Sequence, residues 1–244
     1  MEKYLRFTDE KSDKYWEIVC KETKSTVFFG RIGSAGRVEE KSFATNEECI
    51  KEAEKQIASK IKKGYKETLI SNRPIKDAET HLNILEFEEN WDVKASPISK
   101  KLMNEPFYWS CIEESSPFGS DEGDDTFSFL KEFYQENPGK KTLDFLLNIF
   151  NESTEVYPLK DLNCIDEVEL KALNIDLYYV IIQDSAIWAA AFGQLVLKGK
   201  IDEELKNIAK NALTRQTLNV ILDQHGDEER LKHIAKMQEV LNQV

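Results

Sequence analysis

The chain has 244 residues, 41% hydrophobic and 10% aromatic, enough to pack the cores of two ordinary domains and too apolar for a disordered chain. It holds no run of about 18 apolar residues and opens without the apolar core of a signal peptide, so a cytoplasmic protein with no membrane association is expected. The net charge of −12 is uneven: residues 1–70 carry fifteen basic against thirteen acidic side chains (net +2), and residues 71–244 eighteen against thirty-two (net −14). A polyanion would be repelled by the second part and accepted only at a local patch on the first.

In chain order, Tyr4-Leu5-Arg6-Phe7 alternates and opens a sheet. Tyr15 to Lys21 continues it, with Trp16, Ile18 and Cys20 on one side and Tyr15, Glu17 and Val19 on the other. After a turn at Glu22-Thr23-Lys24-Ser25, a third strand places Val27, Phe29 and Arg31 on one face and Phe28, Gly30 and Ile32 on the opposite one. One face should meet a helix and the other should be partly open, which makes one phenylalanine a candidate contact residue. Gly33-Ser34-Ala35-Gly36 supplies the glycines of a tight hairpin, and Arg37 to Phe43 returns as a more polar strand. Thr45 and Glu48 form a capping box for a helix whose apolar stripe is Cys49, Ile50, Ala53, Ile57 and Ile61. Lys55, Lys60, Lys62 and Lys63 complement its dipole toward the end, and Gly64 terminates it.

The run Phe29-Gly30-Arg31-Ile32-Gly33, the glycine turn, Lys41-Ser42-Phe43 and the helix ending Lys62-Lys63-Gly64-Tyr65 together resemble the WGR domain. The likeness is to its bacterial branch, in proteins similar to the molybdate metabolism regulator; a related domain occurs in poly(ADP-ribose) polymerases. It covers roughly residues 1–70. In the polymerases the family's tryptophan packs on sugar at a DNA end and its arginine serves phosphate and partner-domain contacts; by motif position these correspond to Phe29 and Arg31. Phenylalanine keeps an apolar ring without the indole N–H, so the resemblance implies a weaker contact. The implied nucleic-acid site comprises Phe29, Gly30, Arg31, Arg37, Lys62 and Lys63, with Lys66 nearby and Glu39, Glu40, Glu47 and Glu48 diluting its charge. A plainer reading stands beside it: Phe29 packs in the core, Arg31 pairs with a carboxylate, and the lysines are a solvated helix face.

From Ser71 to about Ser110 the pattern breaks. Asn72-Arg73-Pro74 ends the first domain, Thr80 to Trp91 mixes both periods, and Pro97 and Pro106 interrupt the next stretch, so residues 71–114 read as a linker that packs on one or both domains. The acidic stretch Asp121-Glu122-Gly123-Asp124-Asp125 lacks EF-hand spacing, and a helix start is the better reading than a divalent-cation site. Helical stripes come next at Phe127, Leu130, Phe133 and Tyr134, stopped by Asn137-Pro138-Gly139, and then at Leu143, Phe145, Leu146, Ile149 and Phe150. Ile175 to Leu197 is nearly apolar and belongs at the centre of a bundle, closed by Gly199. Helices opening at Asp202 and Asp227 complete an acidic helical domain over residues 115–244.

The expected fold class is α+β: an antiparallel sheet with one packed helix over residues 1–70, then a mostly α-helical domain. Cys20, Cys49, Cys111 and Cys164 form no CxxC pair, so reduced thiols are expected, with neither a zinc site nor a disulfide framework. His81, His225 and His233 include no metal-binding pair, and neither a phosphate-cradling GxxxxGK[ST] nor a GxSxG elbow occurs. Asp184 and Gln183 interrupt the apolar helix, where such residues more often meet a polar neighbour than act in catalysis. A non-enzymatic protein without cofactor or metal is therefore expected, its N-terminal module recognising a DNA or RNA end or strand. The alternative is an adaptor that grips a protein partner.

Overall fold

A computed structural model describes residues 1–9, 13–32, 36–69, 95–152, 157–225 and 228–244. The chain divides into two compact units, residues 1–93 and 94–244. Expectations for 71–94, for the loop at 33–35 and for the cap at Asp227 lie outside the described residues.

The first unit is an antiparallel five-stranded sheet in the order β4-β3-β2-β1-β5: β1 Glu2–Thr8, β2 Asp13–Lys21, β3 Lys24–Arg31, β4 Arg37–Ser42 and β5 Lys66–Thr68. The turn between β2 and β3 is only Glu22-Thr23, tighter than the four residues expected, with Glu22 at a positive φ of 54°. That turn sets the register, pairing Lys21 with Lys24, Cys20 with Ser25, Trp16 with Phe29 and Lys14 with Arg31. Three-residue β5 is too short to show alternation in the sequence and extends the sheet beside β1.

Helix α1, Asn46–Lys62, packs on β2 and β3. Thr45 Oγ1 accepts from the Glu48 N–H at 3.1 Å, while the Glu48 carboxylate accepts from the Ala44 N–H at 3.1 Å, so the box closes one residue earlier than its usual form. The inward stripe differs from expectation: Cys49 and Ala53 are buried, but Lys60 is 6% exposed and Ile61 is 49% exposed. At 3.6 residues per turn Lys60 lies about 20° around the helix from Cys49 and Ile61 about 120° away. The buried Lys60 stem is tolerated because its ammonium sits 5.6 Å from the Tyr65 ring centroid. Gly64, at φ +89°, lets the chain turn where a Cβ would lie 3.3 Å from Phe7.

The second unit contains α2 (Pro97–Leu102), a 3-10 turn (Pro106–Trp109), α3 (Asp121–Glu136), α4 (Thr142–Glu152), α5 (Glu167–Ala172), α6 (Tyr178–Lys198), α7 (Glu203–Arg215), α8 (Asn219–His225) and α9 (Glu228–Gln243). Residues 95–114 thus belong to this unit: Ser96 Oγ donates to the Leu195 carbonyl, and α2 packs on α6. The acidic stretch is the first turn of α3, where Ser120 Oγ accepts from the Gly123 N–H. Helices α2, α3, α4 and α7 surround α6, and Gly193 permits the close approach of α3, since a Cβ there would lie 2.9 Å from both Leu130 and Phe127. In length and composition α6 matches a membrane-crossing helix, yet 83% of its most apolar window is buried inside the unit.

Asp184 is fully buried and held by a polar network. The Arg215 guanidinium reaches its carboxylate through Nη2 at 2.6 Å and Nε at 3.0 Å, and Gln216 Nε2 donates to it at 2.5 Å. Arg215 Nη1 donates to the carbonyls of Leu162 and Cys164, so one side chain joins α6, α7 and the segment before α5. Burial raises the Asp184 carboxyl from its ordinary value, and the Arg215 guanidinium acts against that rise. Gln183 pairs with both backbone groups of Leu159. These contacts give both residues a structural role.

The thiols fall into two classes. Cys20 and Cys49 are buried, whereas Cys111 and Cys164 are part-exposed. Alkylation of the folded chain by a maleimide is expected to consume Cys111 and Cys164 first and to reach Cys20 and Cys49 much more slowly, through opening of α1 or unfolding, as peptide mapping over time will read.

Candidate nucleic-acid interface

Strand register brings most of the expected site residues to one end of the first unit. Arg31 is the last residue of β3 and stands opposite Lys14 on β2, while Arg37 is the first of β4 and stands opposite Phe29. Lys14 is in turn opposite Phe7 on β1, whose ring meets Tyr65 at 5.5 Å and packs against Gly64, so the C-terminal end of α1 with Lys62 and Lys63 reaches the same end. Arg31 and Lys62 are exposed; Lys14, Arg37 and Lys63 are half-exposed.

The Asp13 carboxylate, at the start of β2, is engaged by Arg6 and Thr8. Asp13 accepts from Arg6 Nε at 2.8 Å and Arg6 Nη2 at 2.5 Å, and from Thr8 at 3.1 Å, so its carboxyl is held below the usual range chiefly by the Arg6 hydrogen bond. Of the glutamates expected to dilute the patch, Glu39 stays on β4 two residues from Arg37, and the other three lie elsewhere. Glu40 pairs with Lys24 at the far end of the sheet, and Glu47 and Glu48 occupy the first turn of α1, about 22 Å of helix from Lys62.

Phe29 occupies a different environment from a stacking residue. Its ring is 8% exposed, on the sheet face that α1 covers, beside the buried Trp16. Alternation correctly groups Phe29 with Arg31, but β3 rises about 3.3 Å per residue, so Arg31 clears the sheet end while Phe29 remains beneath α1. A stacking contact by this ring does not fit its burial. Gly30 turns to the other face, opposite Tyr15, and Phe28 is the half-exposed phenylalanine of the pair. Lys14 is the cation that sequence reading missed; counting back from a two-residue turn at Glu22-Thr23 places it against Arg31.

Among its described residues the first unit is this five-stranded sheet with helix α1 packed on it, and the WGR domain family matches residues 1–72. The chain belongs to a family of WGR-domain proteins that includes the uncharacterized protein YfeS of Escherichia coli (strain K12), to which it is 31% identical over 241 residues, spanning 97% of this chain and 96% of that one. It is also similar to a crystal structure of a Bacteroides fragilis protein, at 42% identity over 28% of this chain and 20% of that chain, with a TM-score of 0.27.

Proposed function

We propose that the WGR unit binds nucleic acid by its phosphate backbone, through Arg31, Arg37, Lys62 and Lys63 together with Lys14, and that the chain acts in the cytoplasm by binding rather than by catalysis. The supporting observation is the convergence of these five cations at one end of the sheet, with Asp13 neutralised by Arg6 and the acidic turn of α1 at the opposite end. A buried Phe29 leaves the contact to charge, so the preferred ligand is a continuous double-stranded phosphate ladder and a free end adds little.

The test is titration of the full chain with labelled linear and closed-circular DNA duplex and with RNA across a salt series. Binding to both DNA forms at low salt is expected, with log K falling linearly against log salt. Replacing Lys62 and Lys63 together by glutamine should lower the magnitude of that slope by roughly 1–2. Absence of binding at low salt would refute the proposal and turn the search toward protein partners. Binding only to linear DNA would restore end recognition.

A further inference from the structure

Cys20, near the end of the central strand β2, points to the face that α1 covers, and Cys49 lies in the first turn of α1. Both side chains are buried where the helix meets the sheet, at 6% and 0% exposure, and Cys49 is near enough to add to the rise in the Cys20 pKa that burial causes. Separation of 29 positions in the chain hides this neighbourhood from sequence inspection.

We propose that Cys20 and Cys49 are a peroxide-oxidisable pair whose disulfide staples α1 to the middle of the sheet. Opening of the exposed first turn of α1 admits peroxide to Cys49. The Cys49 sulfur attacks one peroxide oxygen, the O–O bond breaks, the departing hydroxide takes the Cys49 proton as water, and Cys49 becomes a sulfenic acid. The Cys20 sulfur then attacks the Cys49 sulfur, the S–O bond breaks, and the departing hydroxide takes the Cys20 proton as water. Two thiols lose two electrons in total, and one hydrogen peroxide is reduced to two waters. Burial and the neighbouring thiol push Cys20 up to about 11, so it stays protonated and is suited to the second step rather than the first. The pair sits at the sheet end away from the basic patch, so its oxidation does not depend on nucleic-acid binding.

The full chain is exposed to hydrogen peroxide, denatured, alkylated and peptide-mapped. The expected product joins the Cys20 and Cys49 peptides, is lighter than their sum by two hydrogens, and is released by reductant. Cys49→Ser abolishes it, whereas Cys111→Ser and Cys164→Ser leave it unchanged. In the oxidised chain, amide exchange in the first turn of α1 should slow at least about tenfold, because the link restricts opening. The proposal is overturned if Cys20 and Cys49 remain thiols while Cys111 and Cys164 oxidise, if they end as unlinked sulfinic acids, or if the link forms without slowing exchange.

Discussion

Arg215→Ala is expected to cost the helical unit about 3–5 kcal/mol, a large share of the roughly 5–15 kcal/mol that stabilises an ordinary domain. Truncation leaves the Asp184 carboxylate fully buried with only Gln216 still donating to it, and strips the carbonyls of Leu162 and Cys164 of their donor. The loss exceeds that of any surface ion pair here because no water reaches the vacated partner: both side chains are 0% exposed. Urea unfolding read by amide exchange in α6 and α7 measures it. Asp184→Leu combined with Arg215→Met should recover much of the stability, since matched apolar side chains bury no orphaned charge. A loss below about 1 kcal/mol for Arg215→Ala would mean that water already solvates the pair.

Phe29→Ala should destabilise the WGR unit by about 3–5 kcal/mol, through lost burial and the cavity left between sheet and α1. Its effect on nucleic acid then comes from unfolding and not from a missing contact. Phe29→Leu separates the two: the leucine keeps most of the packing, and because the ring is buried the variant should bind a DNA duplex within about twofold of the parent chain. A folded Phe29→Leu chain that lost DNA binding tenfold or more would return the ring to the interface.

The capping box at Thr45, the C-terminal lysines of α1, the polar return strand and the central position of α6 were all legible because each depends on neighbours within one helical turn or one strand. The features that escaped the sequence depend on pairing across the chain. Taking the β2–β3 turn as four residues hid the partnership of Lys14 with Arg31; the two-residue turn needs Glu22 at positive φ, which its side chain does not advertise. Ile61 has the hydrophobicity of a core residue but the wrong angle for one: the helix presents Lys60 to the sheet and lets an aromatic ring accommodate its ammonium. Asp184 announced a polar partner without saying which, since Arg215 lies 31 positions away. Phe29 and Arg31 share a face in sequence, and only the placement of α1 distinguishes a buried ring from an exposed guanidinium.

The order in which α6 acquires its neighbours has a consequence for synthesis. Helices α2, α3 and α4 precede it and are already available when it leaves the ribosome, but α7, which covers another side and supplies Arg215 to Asp184, is made afterwards. During that interval the nascent chain carries a long apolar helix with one flank open and an unpartnered carboxylate in it. The species most in need of a chaperone is therefore a chain made through Gly199 but not yet through α7, and a premature stop just beyond Gly199 should yield an aggregating fragment in place of a smaller folded one.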